Sequence, residues 1–365
     1  MKPTNAELVL LHSAMAIAYW NTAVRNARDK SHQDDLHQAS NHHFHYALGL
    51  LPDLMASHTF NDVQALAVLC IHARNSIKPS ASWMLTSIVL NLAIDLGLHR
   101  SSQHWTSSAK LSKLDVEMRK RVFWSIIWIQ VLICGSLGRP MALRNGVFDV
   151  ELPEVVDDKL LSDNGIDTTR PGICNFLAGI ENFKVLPIYV DLYNIIYSVG
   201  APPPDYEASV NDIERRLHQW QAHWPVKLLT DAASQPELGR IHLQYLRLWR
   251  LQIRLLLRHP SLSFSVSDQF NAESLTICME TCKEILDVFK FLQRFRGMDV
   301  SWQTSALLVL TIATTLYGHC ERKGHIAIPD LDDLKQDMRD WISIITDFDT
   351  LLGKKCTLHK TNRSC

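Results

Sequence analysis

The chain has 365 residues, 47% of them hydrophobic and 21% charged, with 37 Lys and Arg against 38 Asp and Glu for a formal net charge of −1. That composition supplies apolar material for one large core or two smaller ones. It lacks the basic excess by which a nucleic-acid binder releases counterions from phosphates, so no direct nucleic-acid contact is expected of this chain.

Helical periodicity dominates from end to end, and no convincing strand alternation interrupts it. Leu8 to Ala27 is predicted as a first amphipathic helix; Glu7 and His12 break any likeness to a signal peptide. A second helix is predicted from Leu36 to Leu51, ended by Pro52, and a third to Asn75, capped by Asn61 or Asp62. Pro79 opens the next, which carries Trp83, Leu85, Ile88, Leu92 and Leu96 and stops at Gly97. After a polar stretch from Ser101 to Lys113, Ser112 and Asp115 form a capping-box start. The helix that follows has basic first turns, Arg119-Lys120-Arg121, and later turns apolar all round, the pattern of a central buried helix. Its most apolar stretch, Val122 to Cys134, is shorter than the roughly 20 residues a bilayer requires, so no membrane partner is expected.

From Gly138 to about Arg170 the pattern dissolves into turn residues, prolines and acids, as in a surface or cleft-lining segment. Helices are predicted again over Phe176–Val199, Tyr206–Trp224, Leu238–Arg258, Asp268–Arg296, Ser301–Arg322 and Pro329–Leu352. No fixed repeat runs through them, so the expected fold is all-α, an irregular array of about ten to twelve packed helices. The expected divisions are 1–60, N-terminal helices packing on the core; 61–155; 156–352; and a basic tail, 353–365. The eight cysteines include no Cys-x-x-Cys pair, and Cys278 and Cys282, which share a helix face, are read as core thiols rather than zinc ligands.

Two neighbouring segments resemble the fungal-specific transcription factor domain, the middle homology region of zinc-cluster regulators. The first runs from Ala81-Ser-Trp83-Met to Ala93-Ile-Asp95-Leu-Gly97-Leu-His99-Arg100. The second runs from Glu117-Met-Arg-Lys-Arg121-Val-Phe123-Trp124 through Gly138-Arg139-Pro140 to Phe148-Asp-Val-Glu-Leu-Pro153. Order and spacing agree across about Asn61 to Pro153, with weaker echoes at Arg258-His-Pro260 and from Cys278 to Leu286. The resemblance implies a transcription regulator acting in the nucleus, with metabolic or secondary-metabolite genes among the classes such regulators control. It also implies an N-terminal cluster of six cysteines holding two zincs, but no cysteine precedes Cys70. The sequence is therefore read as a fragment or as a stand-alone regulatory domain whose partner is a full-length zinc-cluster regulator or a co-regulator.

The signature residues carry packing chemistry and no reactive constellation. Ala81, Ser82 and Ala93 leave room for close helix approach beside Trp83; Asp95 and Arg100 are placed to bridge to neighbouring helices. Phe123, Trp124 and Trp128 supply large buried areas, Gly138 permits a turn, and Arg139 offers a planar fork to carboxylates or carbonyls. His42-His43-Phe-His45 with His37, and Arg119-Lys120-Arg121, are read as solvated faces, and Lys354, Lys355, Lys360 and Arg363 as a solubilising tail. Asp332-Asp333 with Asp337 is similar to a magnesium-diphosphate motif but follows Pro329, where acids belong to a helix start. No catalytic residue, metal ligand or cofactor is assigned, and the expected input is a small apolar effector or a partner protein. The rival class is an all-α enzyme or accessory protein of a biosynthetic pathway; a decoy that pairs with a full-length relative is a further alternative.

Overall fold

Short polar side chains set where the helices begin. In the computed structural model, which describes residues 2–75, 79–102, 111–141, 146–196, 202–229, 237–321 and 328–352, helix α1 (Asn5–Arg25) starts behind Thr4. The Thr4 hydroxyl accepts the Glu7 N–H, and the Glu7 carboxylate accepts the Thr4 N–H at 2.7 Å. Helix α2 (Lys30–Gly49) starts behind Asp29. Both begin earlier than the predicted Leu8 and Leu36, because their first turns are polar and carry no apolar periodicity. Pro52 does not end α2; it lies in the first turn of the short α3 (Leu51–Ser57), where a missing N–H leaves nothing unsatisfied. The cap of α4 (Phe60–Ala73) is Thr59, with Asp62 as its reciprocal partner.

Helix α5 (Pro79–Asp95) ends before Gly97, whose φ of +71° is left-handed. Helix α6 (Lys113–Leu137) has the predicted Ser112–Asp115 capping box, and at its far end Gly138 adopts φ +60°, ending the helix before Pro140 is reached. The irregular segment that follows contains a small hairpin, β1 (Leu161–Ser162) antiparallel to β2 (Gly165–Ile166), with Leu161 opposite Ile166. Then come α7 (Leu177–Ile196), α8 (Tyr206–Ala222), the single turn α9 (Val226–Leu229), α10 (Glu237–Arg258), α11 (Asp268–Arg294), α12 (Trp302–Glu321) and α13 (Ile328–Leu352). The class is all-α, and eleven of the thirteen helical segments among the described residues are 14 residues or longer. The basic tail lies outside the described residues.

Two apolar clusters form the interior. The larger gathers α1–α5 and α7–α10 around α6, whose Phe123, Ile126 and Ile133 are fully buried. By length and composition α6 could cross a membrane, but 67% of its apolar window is buried by the other helices. The smaller cluster joins α11, α12 and α13 through Ile285, Phe289, Leu308 and Trp341. Helix α10 is the wall between them: Leu246, Ile253 and Leu257 face the first cluster, while Leu248, Leu251 and Leu255 face the second.

A helix with an apolar face on each side has only narrow edges left for charge, and α10 fills one with arginines. Arg254 Nε and Arg258 Nε donate to opposite oxygens of the buried Glu214 of α8, at 2.9 and 2.5 Å, and Arg250 Nη2 reaches Glu284 of α11 at 2.7 Å. Burial pushes the Glu214 carboxyl up, but the two guanidinium groups outweigh it and hold it below its usual range. Its contribution to stability is therefore complete above the ordinary value of 4.5 and is lost as pH falls below that through the lowered folded value. Glu214→Ala should cost about 3–5 kcal/mol, since the buried Arg258 loses its counter-charge and the partly buried Arg254 keeps only the longer 4.0 Å pair with Glu284. Urea denaturation at neutral pH reads that loss, and the variant should show a flatter decline of stability with acid than the parent chain.

Candidate functional site

The signature residues meet in three dimensions because the extended segment after residue 146 is stitched to both signature helices. Asp149 and Val150 donate their N–H groups to the His99 carbonyl at 3.1 and 3.3 Å, one strand-like contact in a helical protein. The Asp149 carboxylate accepts from Arg100 Nε at 3.0 Å and from the Ser101 N–H at 2.8 Å. On the other side, the Trp124 indole N–H donates to the Glu151 carbonyl at 3.0 Å, and buried Glu117 accepts the Glu154 N–H at 3.0 Å and Arg121 Nε at 2.9 Å. Phe148 lies 5.8 Å from the Phe123 ring and 5.6 Å from Trp124, and Pro153 is buried beside them.

Several expected roles change. Arg121 is mostly buried, held between Glu117 and Asp158, and Arg119 stacks over Phe60 at 4.9 Å. The basic turn of α6 is thus a paired surface rather than a solvated one, because the 148–158 segment and α4 close over it. Arg139 meets no carboxylate among the described residues; its guanidinium lies 4.3 Å over the Trp83 ring and donates to Ser80 Oγ at 3.3 Å. Arg100 bridges to a loop instead of a helix, while Asp95 reaches His58 Nδ1, just past α3, at 3.3 Å. Ala81 points to solvent, so the close approach of α5 and α4 rests on Ser82, which donates to the Ala73 carbonyl. Gly97 and Gly138 are half-buried and exposed caps, and Pro140 is exposed.

The histidines divide. His42 and His45 are exposed as expected, but His37 is buried with its ring 4.9 Å from Trp20, and His43 is half-buried, its Nδ1 2.9 Å from that of His12. No group of three or more His, Cys, Asp or Glu able to hold a metal occurs among the described residues. Cys278 and Cys282 are buried in the smaller cluster, where desolvation pushes each thiol up to about 12. Asp332 lies near the start of α13 and pairs with Lys335, while Asp337 and Asp340 take Lys283 and Lys290 of α11.

A cleft of about 470 Å³ opens between α1, α4 and α6 on one wall and α7, α10 and residues 298–300 on the other. Trp20, Trp128, Phe176, Tyr245 and Trp249 line it, with Trp128 and Trp249 edge to face at 5.3 Å and 82°. Arg74 of α4 and Asp299 close one end as a two-pronged ion pair at 3.1 Å, and Tyr245 Oη donates to the Gly297 carbonyl at 2.7 Å. Desolvation lowers His242 below its usual range, so its imidazole is neutral at pH 7. Asn75 and Asn182 also line the cleft, and the Oδ1 of each is buried with no hydrogen-bond partner among the described residues. The sequence alone suggests input at the irregular Gly138–Arg170 segment or in a cleft between the signature and C-terminal helices, and of the ring side chains lining this cleft it singles out only Trp128 for its packing area. The lining residues come from six separate stretches of chain, so no local spacing marks them.

The stitching makes a measurable distinction. The Arg100–Asp149 pair is about half exposed on both sides, and Arg100→Ala should cost no more than about 1 kcal/mol. Asp149→Ala also strips the acceptor from the Ser101 N–H and should cost about 1–3 kcal/mol more. Paired thermal melts of the two variants check this; equal losses would show that the Asp149–Ser101 bond contributes nothing.

The model of the "Fungal specific transcription factor domain" matches residues 1–222. "Activator of stress genes 1" of Saccharomyces cerevisiae is 22% identical over 356 residues, covering 94% of this chain and 36% of the relative. An uncharacterised transcriptional regulatory protein of Schizosaccharomyces pombe is 26% identical over 282 residues, 71% of this chain and 44% of its own. The "Fusaridione A cluster transcription factor" of Fusarium heterosporum is 26% identical over 326 residues, 83% and 58%. The chain thus spans from about a third to somewhat over half of these relatives, and no solved structure matches it. With over half of its length under the family model and its signature segments stitched into one unit, the chain belongs to the fungal specific transcription factor domain family.

Proposed function

We propose that this chain is the regulatory part of a fungal transcription regulator, and that it responds to a small effector held in the cleft between α1, α4, α6 and α7, α10. The observation that carries this reading is the make-up of the cleft. The lining joins α1 and the signature helices α4 and α6 to the C-terminal helices α7 and α10, and both groups contribute aromatic rings. A ligand between the two groups stabilises one of their relative settings over another by the difference in its affinity for them.

The relatives support the regulatory half of the proposal: their printed names concern the activation of stress genes and the control of a fusaridione A cluster. In this reading the chain is not an enzyme, uses no cofactor of its own and acts in the nucleus. Its balanced charge leaves contact with DNA to another module, on the same polypeptide or on a zinc-cluster partner. Residues 1–60, 61–155 and 156–352 work as one unit, since the larger core draws on all three.

Fusion of residues 1–365 to a heterologous DNA-binding module, with a reporter gene in yeast, tests the proposal. Ala178→Phe projects a ring into the cleft from α7 and should change reporter output several-fold while leaving the far-ultraviolet dichroism unchanged. A screen of fungal metabolites by thermal shift should find a compound whose stabilisation rises with concentration, reaching about 2.7 kcal/mol at a hundredfold excess over Kd. A reporter indifferent to Ala178→Phe, with no stabilising metabolite, would remove the effector reading.

A further inference from the structure

We infer that the cleft between α1, α4, α6 and α7, α10 selects a neutral, planar aromatic compound that carries an N–H or O–H donor. The inference rests on the effector reading of this cleft and adds the chemistry of what enters.

Shape argues for the ring. Three indoles, a phenyl and a phenol ring line one space of about 470 Å³, within the ordinary range for a small-molecule site. Trp128 and Trp249 meet edge to face, so their exposed surfaces offer a flat ligand one face to stack on and one edge to abut. A flexible alkyl chain fills such a space without using either feature and loses more rotamer freedom on binding.

Charge argues for neutrality. Arg74 and Asp299 are committed to each other through both carboxylate oxygens at 3.1 Å, which leaves little field for an ion of either sign at that end. Burial keeps His242 uncharged, and Arg25, the other cation in the lining, is exposed, so that solvent screens its charge.

The two asparagines argue for the donor. Asn75, just past α4, and Asn182, on α7, come into the lining from separate elements, each with a buried carbonyl oxygen that finds no donor among the described residues. A buried acceptor left unpaired costs about 1–3 kcal/mol. Rotation about the soft terminal torsion of an asparagine turns that oxygen towards the cleft, where a ligand N–H or O–H relieves the cost. A donor held by Asn75 or Asn182 ties the ligand to the end of α4 or to α7.

Calorimetry on the full chain with four probes tests this: 2-naphthol, 2-methoxynaphthalene, 2-naphthoate and 1-decanol. The expected result is measurable binding of 2-naphthol and at least about tenfold weaker binding of the methyl ether, because one buried acceptor then stays unpaired. Naphthoate and decanol should also bind more weakly than 2-naphthol. In a variant carrying both Asn75→Leu and Asn182→Leu, with an unchanged melting cooperativity as the folding check, the two neutral naphthalenes should bind equally. The inference is overturned if 2-naphthol does not bind or does no better than its ether, if naphthoate or decanol binds more tightly, or if the double variant keeps the preference. Should the probes fail while Ala178→Phe still alters the reporter, the ligand chemistry falls and the regulatory reading stands. The opposite pattern removes the regulatory reading and leaves the binding chemistry.

Discussion

Helix α6 lies at the centre of the larger core, and its N-terminal half needs more cover than the neighbouring helices give it. The remaining strip, at its N-terminal half, is closed by the extended segment 148–154. Extended chain placed against a helix brings backbone N–H and C=O groups that need partners. Those partners are supplied from two directions: the His99 carbonyl and the Arg100–Ser101 turn on one side, Glu117 and Trp124 on the other. The residues of the family signature are therefore mutually dependent. Glu117 without Arg121 would be a buried, unbalanced carboxylate, and Trp124 without the loop would leave its indole N–H unpaired.

The same constraint positions the cleft. Trp128 stands one helical turn beyond Trp124, and because Trp124 is fixed by the loop and by the stacked Phe183 ring at 5.7 Å, the rotation of α6 about its axis is fixed as well. That rotation carries Trp128 to the edge of the core, where it meets Trp249 of α10. Helix α10 in turn is held by both apolar clusters and by the Glu214 and Glu284 ion pairs. The positions of the cleft's aromatic side chains thus follow from packing, and Asn75 and Asn182 carry the fully buried unpaired polar atoms in its lining among the described residues.

How much of this was legible in the sequence depends on how local the cause is. The start of α6 at Ser112–Asp115 and the stops at Gly97 and Gly138 depend on residues within one turn of each other, and the sequence shows them directly. The true starts of α1 and α2 escaped because capping turns are polar and a search for apolar spacing passes over them. Arg119–Arg121 looked solvated because nothing near it in sequence is acidic except Asp115 and Glu117; its other partner, Asp158, arrives with the loop. The pairing of residue 99 with residues 149 and 150 is a register between distant segments, which helical periodicity cannot encode. The cleft is the extreme case: Asn75, Asn182, Trp249 and Asp299 each look unremarkable in their own helix or turn, and only the packing of six stretches gives them a common purpose.

In the proposed regulatory reading two distant surfaces must feel the setting of one element, and α10, which packs into both apolar clusters along its length, is such an element. A shift of α10 is resisted by the first cluster through Leu246 and Ile253 and by the second through Leu251 and Leu255, so its displacement moves both or neither. Close-packed interiors of this kind exchange between discrete arrangements instead of deforming smoothly. In that reading, occupation of the cleft acts on α10 at Tyr245 and Trp249, midway along the helix, while its last two turns are tied to α8 through Glu214. On the same reading the Arg258–Glu214 link is one route by which a ring seated beside Trp249 is felt at α8, and the Trp220 indole of α8, which donates to the Glu181 carbonyl next to Asn182, is a second.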